Sequence, residues 1–158
     1  MKHAITAIAA AAALLAGAVP AAAAPPEDVS FVVTVTLAGD LTASTTSGTF
    51  TMTGAIVDSG SESGEGRFAG LGHLKTGEPN SLHSEMTLAG QDGTIELQLV
   101  GLYGQLPAPS ATGEGRWIVI GGTGAYEDLH GEGSWTAVAT FGAGGPPVVV
   151  FTATGQVH

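Results

Sequence analysis

Apolar and polar residues alternate with a period of two through most of the chain beyond residue 28. One side of each segment carries large apolar residues, and the other side carries mainly Thr and Ser. Successive side chains of a strand point to opposite sides, so this pattern is typical of antiparallel strands with one buried face. The clearest segments contain Phe31, Phe50, Leu82, Ile95, Trp135 and Val149. The sequence therefore predicts an all-β fold.

Turn-forming residues separate the alternating segments, at 38–40, 58–60, 77–80, 91–93 and 143–147. Asp92-Gly93 lies between two such segments and predicts a hairpin. With residues 67–74 and 117–120 counted as further strands, the total is about eight. Sequential strands with short connections predict an eight-stranded antiparallel up-and-down β-barrel of the calycin-like kind, with a compact sandwich as the alternative.

The first 23 residues have the composition of a secretory signal peptide. Lys2 and His3 precede an apolar run at 4–19, and Pro20 and four alanines follow. Such a run is short for a membrane helix. We expect cleavage after Ala23, a secreted extracellular protein, a loose segment at 24–28, a barrel domain at 29–158 with a loose C-terminus, and no membrane insertion.

Acidic residues outnumber basic ones by 14 to 4, and the formal net charge is −10 at pH 7. A surface of this sign repels phosphate backbones, so nucleic acid is not an expected partner. The same charge is also a simple means of solubility. The chain has no cysteine, so packing and strand pairing alone are expected to stabilise it.

Residues 114–133 read E-G-R-W-I-V-I-G-G-T-G-A-Y-E-D-L-H-G-E-G. Glycine reaches positive φ without strain, so this spacing predicts a tight reversal between two strands. The predicted structural turn comprises Gly121, Gly122, Thr123, Gly124, Tyr126 and Gly131, with Tyr126 and Leu129 folded back to plug one end of the barrel. A phosphate-binding loop is not expected, because neither Lys-Ser/Thr nor a helix pattern follows the glycines.

The same segment is similar to the glycine-rich turn of the allene oxide cyclase-like barrels, a group that includes the dirigent proteins. The resembling residues are Gly115, Trp117, Val119, Gly121, Gly122, Thr123, Gly124, Tyr126, Leu129, Gly131 and Gly133. The resemblance implies an eight-stranded barrel with a lumen for an apolar small molecule, and a homodimer or homotrimer. Known members steer the cyclisation or coupling of reactive intermediates.

Two departures from the family pattern concern activity. The plant cyclases carry a cysteine near the lumen, and this chain has none. Dirigent proteins favour an arginine where this chain has Leu129-His130. The resemblance therefore implies the fold, and an activity does not follow from it.

Large inward residues are the predicted lining of the lumen, because core and lumen lie on the same side of a barrel wall. The predicted ligand-binding residues are Phe50, Met52, Leu97, Tyr103, Trp117, Trp135 and Phe151. Such aromatic residues are also common in packed cores, and that interpretation stays open. No catalytic residue is assigned, and neither a cofactor nor a metal is predicted.

Two polar clusters suggest other chemistry. His83 and Glu85 share one strand face, with Glu96 or Gln98 across the hairpin. Inside the lumen they would supply acid–base chemistry, whereas the apolar residues on the opposite face favour an ordinary solvated surface. Residues 58–65 read D-S-G-S-E-S-G-E and are oxygen-rich enough for calcium. They lack the D-x-D-x-D-G pattern, which favours a polar loop.

Two functions follow from these features. The first is a secreted barrel that binds an apolar small molecule in its lumen and steers a cyclisation or isomerisation by confinement. The second is a non-catalytic extracytoplasmic structural or interaction barrel with a filled interior. The first predicts a cavity above ~300 Å³, and the second predicts none.

Overall fold

Eight strands form a closed barrel in the computed structural model, which describes residues 25–40, 42–69, 80–104, 110–142 and 144–158. The strands are β1 (Glu27–Asp40), β2 (Ala43–Gly54), β3 (Asp58–Ala69), β4 (Asn80–Ala89), β5 (Gly93–Tyr103), β6 (Ser110–Gly124), β7 (Gly131–Thr140) and β8 (Val148–Val157). Each pairs antiparallel with the next, and β8 pairs with β1. The predicted antiparallel barrel is confirmed, while the predicted signal peptide at residues 1–23 lies outside the described residues. No helix among the described residues is long and apolar enough to cross a membrane.

The seam between β1 and β8 is longer than the sequence predicts. Glu27 pairs with Val157, and Asp28 pairs with Gln156. Residues 27–28 and the C-terminal residues were expected to be loose. They are instead paired, because each end of the chain is the strand partner of the other. β1 thus begins two residues before the predicted start of the barrel domain at residue 29.

β3 differs most from the prediction. Residues 58–65 form most of this strand instead of a polar loop, and the strand predicted at 67–74 starts too late. Residues 70–74 lie outside the described part of the chain. The inner face of β3 carries Gly60, Glu62 and Gly64, so it lacks the apolar residues that reveal a strand in a sequence. A Cβ on Gly60 would lie 2.0 Å from the carbonyl oxygen of Ala89.

The two tryptophans of the core pack against glycines of other strands: Trp135 of β7 contacts Gly115 of the neighbouring β6, and Trp117 of β6 contacts Gly155 of β8, two strands away. A Cβ on Gly155 would lie 2.5 Å from Cζ2 of Trp117, and one on Gly115 would lie 2.7 Å from Cζ2 of Trp135. Trp117 Nε1 donates to the carbonyl oxygen of Thr154 at 3.2 Å. Trp135 Nε1 donates to the carbonyl oxygen of Arg116 at 3.0 Å. The glycines thus make room for rings whose polar atoms are satisfied at the wall.

Four adjacent strands share an outer surface without charged side chains across four rows. This uncharged outer face comprises Ser134, Thr136, Val138 and Thr140 of β7, Val148, Val150, Thr152 and Thr154 of β8, Ser30, Val32, Thr34 and Thr36 of β1, and Ser47, Thr49, Thr51 and Thr53 of β2. Charged residues on the strands occur outside this face, for example at Glu85 and Glu114. The charge of the barrel is therefore unevenly distributed around its wall.

Candidate functional site

The seven predicted lining residues all lie in the interior, and each is at most 4% exposed. Their rings pack on one another and on Phe31. The ring centroids of Phe31 and Trp117 are 5.2 Å apart, and those of Trp135 and Phe151 are 5.5 Å apart, both edge to face. These residues therefore form the core of the barrel. Their predicted role in ligand binding stays a prediction.

Two grooves lie on the outside of the barrel. A groove of about 680 Å³ runs across β5 to β8 and is lined in part by Leu102, Val138 and Val150. All three side chains are exposed. The lining of this groove also includes Tyr103, and that of a neighbouring groove over Arg116 and Ser134 includes Trp135, so two of the seven predicted lining residues border open space.

One wall of the interior is polar. Apart from Asp58 at the start of β3, the inner faces of β2, β3 and β4 carry five buried polar residues, Ser44, Thr46, Glu62, Asn80 and Ser84, which we call the polar wall. Strand register places Ser44 and Ser84 on either side of Gly66. Gly64 lies beside Thr46 in the same way. Four of the five side chains thus lie along three adjacent strands and surround inward glycines.

Glu62 is the central group of the polar wall and is only 2% exposed. Thr46 Oγ1 donates to its Oε1 at 2.6 Å. The other oxygen, Oε2, is buried and has no hydrogen-bond partner among the described residues. Burial raises the pKa of Glu62, and the hydrogen bond from Thr46 opposes part of that rise. The sequence placed Glu62 in a polar loop with calcium as a possible ligand, so its position inside the barrel was missed.

The serine hydroxyl groups of the polar wall donate hydrogen bonds to the backbone of the barrel itself. Ser44 Oγ donates to the carbonyl oxygen of Gly66 at 3.2 Å. Ser84 Oγ donates to the carbonyl oxygen of Glu65 at 2.9 Å. A hydroxyl has one hydrogen and two lone pairs, so each of these oxygens keeps the capacity to accept. The polar wall is therefore rich in acceptors.

The opposite end of the barrel is closed by Tyr126, which is 7% exposed. Its hydroxyl donates to Oδ2 of Asp58 at 2.8 Å. Oδ1 of Asp58 accepts from the backbone N–H of Gln91 at 3.1 Å and of Ser59 at 2.7 Å. Three connections between strands meet at this carboxylate. Tyr126 folds back as predicted, and Leu129 packs half-buried against the core.

The pKa values of this pair move in opposite directions. The hydrogen bond from the Gln91 N–H and that from Tyr126 lower the pKa of Asp58, and burial opposes them. Burial and the hydrogen bond to Asp58 raise the pKa of Tyr126 to about 12. Both shifts maintain a protonated phenol beside an ionised carboxylate near neutral pH.

Tyr126→Phe is expected to lower the free energy of unfolding by about 1–3 kcal/mol, because it leaves a buried carboxylate oxygen without its donor. The pKa of Asp58 is lower in the folded state than in the unfolded state, so this carboxylate stabilises the protein at pH values above its unfolded pKa. That stabilisation is lost as the pH falls through the folded-state pKa. The effect should therefore shrink below about pH 4. Urea unfolding at neutral pH and below about pH 4 measures the loss of stability, with Glu127→Gln at an exposed position as a control. An equal loss at both pH values would contradict the role of the ionised carboxylate.

The glycine-rich segment serves this closed end in a way that the sequence only partly predicts. Gly121 to Gly124 form the last residues of β6, and the reversal itself lies at 125–130. Gly124 has a φ of 65°, as the turn prediction requires. Gly122 serves close packing instead, since a Cβ there would lie 2.2 Å from the carbonyl oxygen of Tyr126. Gly131 begins β7.

His83 and Glu85 point to solvent, with 54% and 63% of their side chains exposed. Their Nε2 and Oε1 atoms are 4.0 Å apart, and Glu96 is also exposed. The solvated interpretation is confirmed, and acid–base chemistry by this pair inside the lumen is not. Residues 58–65 alternate across the wall, with Glu62 inside and Glu65 outside, so they do not form a calcium loop. Within the described ranges no three His, Asp or Glu side chains come together to hold a metal ion.

Comparison with protein-family models, curated proteins and solved structures finds no match to this chain.

Proposed function

We propose that this protein is an exported β-barrel that binds a small molecule at the polar wall of its interior, with Glu62 as the anchoring group. The observation that carries the proposal is the buried Oε2 of Glu62, which lacks a partner among the described residues. Buried polar atoms are almost always paired, and leaving one unpaired costs about 1–3 kcal/mol. A donor on a bound molecule would remove that cost.

The architecture around Glu62 supports binding. Small-molecule sites are mostly apolar and contain a few convergent polar groups that orient the ligand. Glu62, Thr46 and Ser44 supply such groups beside an apolar core. The resemblance to the allene oxide cyclase-like barrels points in the same direction, because those proteins hold small molecules inside the barrel. Export rests on the signal-like composition of residues 1–23.

The raised pKa of Glu62 extends the proposal to chemistry. A buried carboxyl group whose pKa lies above its usual range is suited to general acid–base catalysis. Beside a bound molecule it would transfer a proton during a rearrangement. This is the isomerase or cyclase activity that the resemblance implies, and here we propose it as a consequence of binding.

Native mass spectrometry of protein purified from its own producer tests the binding proposal. We expect a retained small molecule in the wild type and its loss in Glu62→Gln. Glu65→Gln removes a carboxylate from the outer face of the same strand and should retain the molecule. An empty wild type, or a molecule retained equally by both variants, would refute the assignment to Glu62.

A second candidate is the interaction barrel with a filled interior. The packing of Phe31, Trp117, Trp135 and Phe151 favours it, and so do the exposed valines of the uncharged outer face. Two copies would meet there without like-charge repulsion. Sedimentation velocity distinguishes this function: it predicts a dimer or trimer that Val150→Glu dissociates, and no retained molecule in mass spectrometry.

A further inference from the structure

We infer that the molecule held at the polar wall carries an ammonium group, so that the ligand class is a small primary amine. This inference rests on the proposed function and adds the chemistry of the ligand to it. Its basis is the balance of donors and acceptors around Glu62.

Hydrogens on the hydroxyls of the polar wall are already used. Thr46 Oγ1 donates to Glu62, Ser44 Oγ donates to a carbonyl oxygen of β3, and Ser84 Oγ donates to the next carbonyl oxygen along it. The remaining capacity of these three oxygens is to accept. Glu62 Oε2 adds a fourth acceptor, and it is the one without a partner among the described residues. A complementary ligand must therefore bring donors.

Gly66 leaves room for a small group between Ser44 and Ser84 of the polar wall, whereas a Cβ on Gly64, beside Thr46, would lie 2.3 Å from the carbonyl oxygen of Glu85. A Cβ built on Gly66 would lie 3.3 Å from Ser44 Oγ and 3.8 Å from Ser84 Oγ, with no other neighbour within 4 Å. Both distances are ordinary van der Waals contact or slightly closer. A compact group with several hydrogens fits such a place better than a planar or branched one.

Charge selects among donor-bearing groups. The buried residues of the described chain include Glu62 and Asp58 and contain no Lys or Arg. The described cations Arg67 and Arg116 are exposed. An anionic ligand would meet an uncompensated carboxyl, whereas an ammonium group offers three donors and the opposite charge. The net charge of −10 also favours the approach of a cation.

Isothermal titration calorimetry of the full protein with butylammonium tests this inference at about pH 8, where Glu62 is more fully ionised. We expect saturable binding that Glu62→Gln weakens at least about tenfold and Glu65→Gln leaves unchanged. Circular dichroism of both variants verifies that they are folded. Tetramethylammonium has the same charge without N–H donors and should not bind. Butyrate should not bind either.

Each other result overturns the inference. Equal binding of tetramethylammonium would reduce the effect to charge attraction. Binding of sodium or calcium ions in place of butylammonium would make the site a cation site. Unchanged binding by folded Glu62→Gln would place the amine elsewhere. If butylammonium does not bind while mass spectrometry finds a neutral or acidic molecule whose retention depends on Glu62, the ammonium assignment is refuted. The proposed function is supported in that case.

Discussion

Gly155→Ala is expected to lower the free energy of unfolding by about 3 kcal/mol, because an added methyl group overfills a packed core. The new Cβ would lie 2.5 Å from Cζ2 of Trp117 and 2.3 Å from the carbonyl oxygen of Glu132. At these distances the indole or the strand backbone must shift to admit the methyl group. Urea unfolding followed by tryptophan fluorescence measures the loss.

Gly142→Ala is the matched control for this variant. A Cβ on Gly142 meets no atom within 4 Å, and the residue is exposed. We expect a change within about 0.5 kcal/mol. Equal stability of the two alanine variants would contradict the account of the core in which Trp117 packs over glycine.

The double variant Thr46→Val/Glu62→Leu is expected to be more stable than the wild type by about 1–3 kcal/mol at pH 8, because it removes the unpaired Oε2 of Glu62 together with the Thr46 hydroxyl that donates to Oε1. Burial raises the pKa of Glu62 above 4.5, so the folded state binds this proton more tightly than the unfolded state. The wild type then loses stability as the pH rises through the raised pKa, and the double variant does not. The difference should be smallest at about pH 4 and full at pH 8.

Unfolding in urea across this pH range provides the test. Glu65→Leu, which removes an exposed carboxylate of the same strand, should show no such growth with pH. A double variant that is less stable than the wild type at pH 8 would mean that Glu62 contributes to the fold through contacts other than these. A gain in stability together with a loss of binding would identify Glu62 as a group retained for function.

The sequence predicts the fold well where the inner residues are large. Phe31, Ile95 and Trp135 stand in clear alternation, and each lies inside as expected. β3 escapes prediction for a physical reason. Its inner positions from 58 to 66 hold three glycines and two carboxylates, and the outer positions are mostly serine, so hydrophobic periodicity is absent there. Only its pairing with β2 and β4 identifies it as a strand.

The glycines illustrate the same limit. Turn chemistry explains Gly124, whose φ is positive. It does not explain Gly115 or Gly155, which lie within strands and face indole rings. A sequence shows that a glycine is present but does not show which ring crosses it, because that depends on the register between strands distant in the chain.

The candidate site is the part of the structure that the sequence predicts least well. Its central contact joins Thr46 to Glu62, and the two residues come together only because β2 and β3 pair with Thr46 opposite Gly64. A signal was present in the G-x-E-x-G spacing of residues 60–64, which places one carboxyl among small inward residues. Recognising it requires that the segment first be identified as a strand.

Carbon-13 NMR titration of the glutamate carboxyl groups tests the central claim most directly, because it observes Glu62 itself. We expect the pKa of Glu62 to be raised by burial, and we expect its signal alone to shift when the retained small molecule is added. A Glu62 signal that shows no raised pKa and does not respond to the molecule would contradict the claim that a buried carboxyl anchors the ligand.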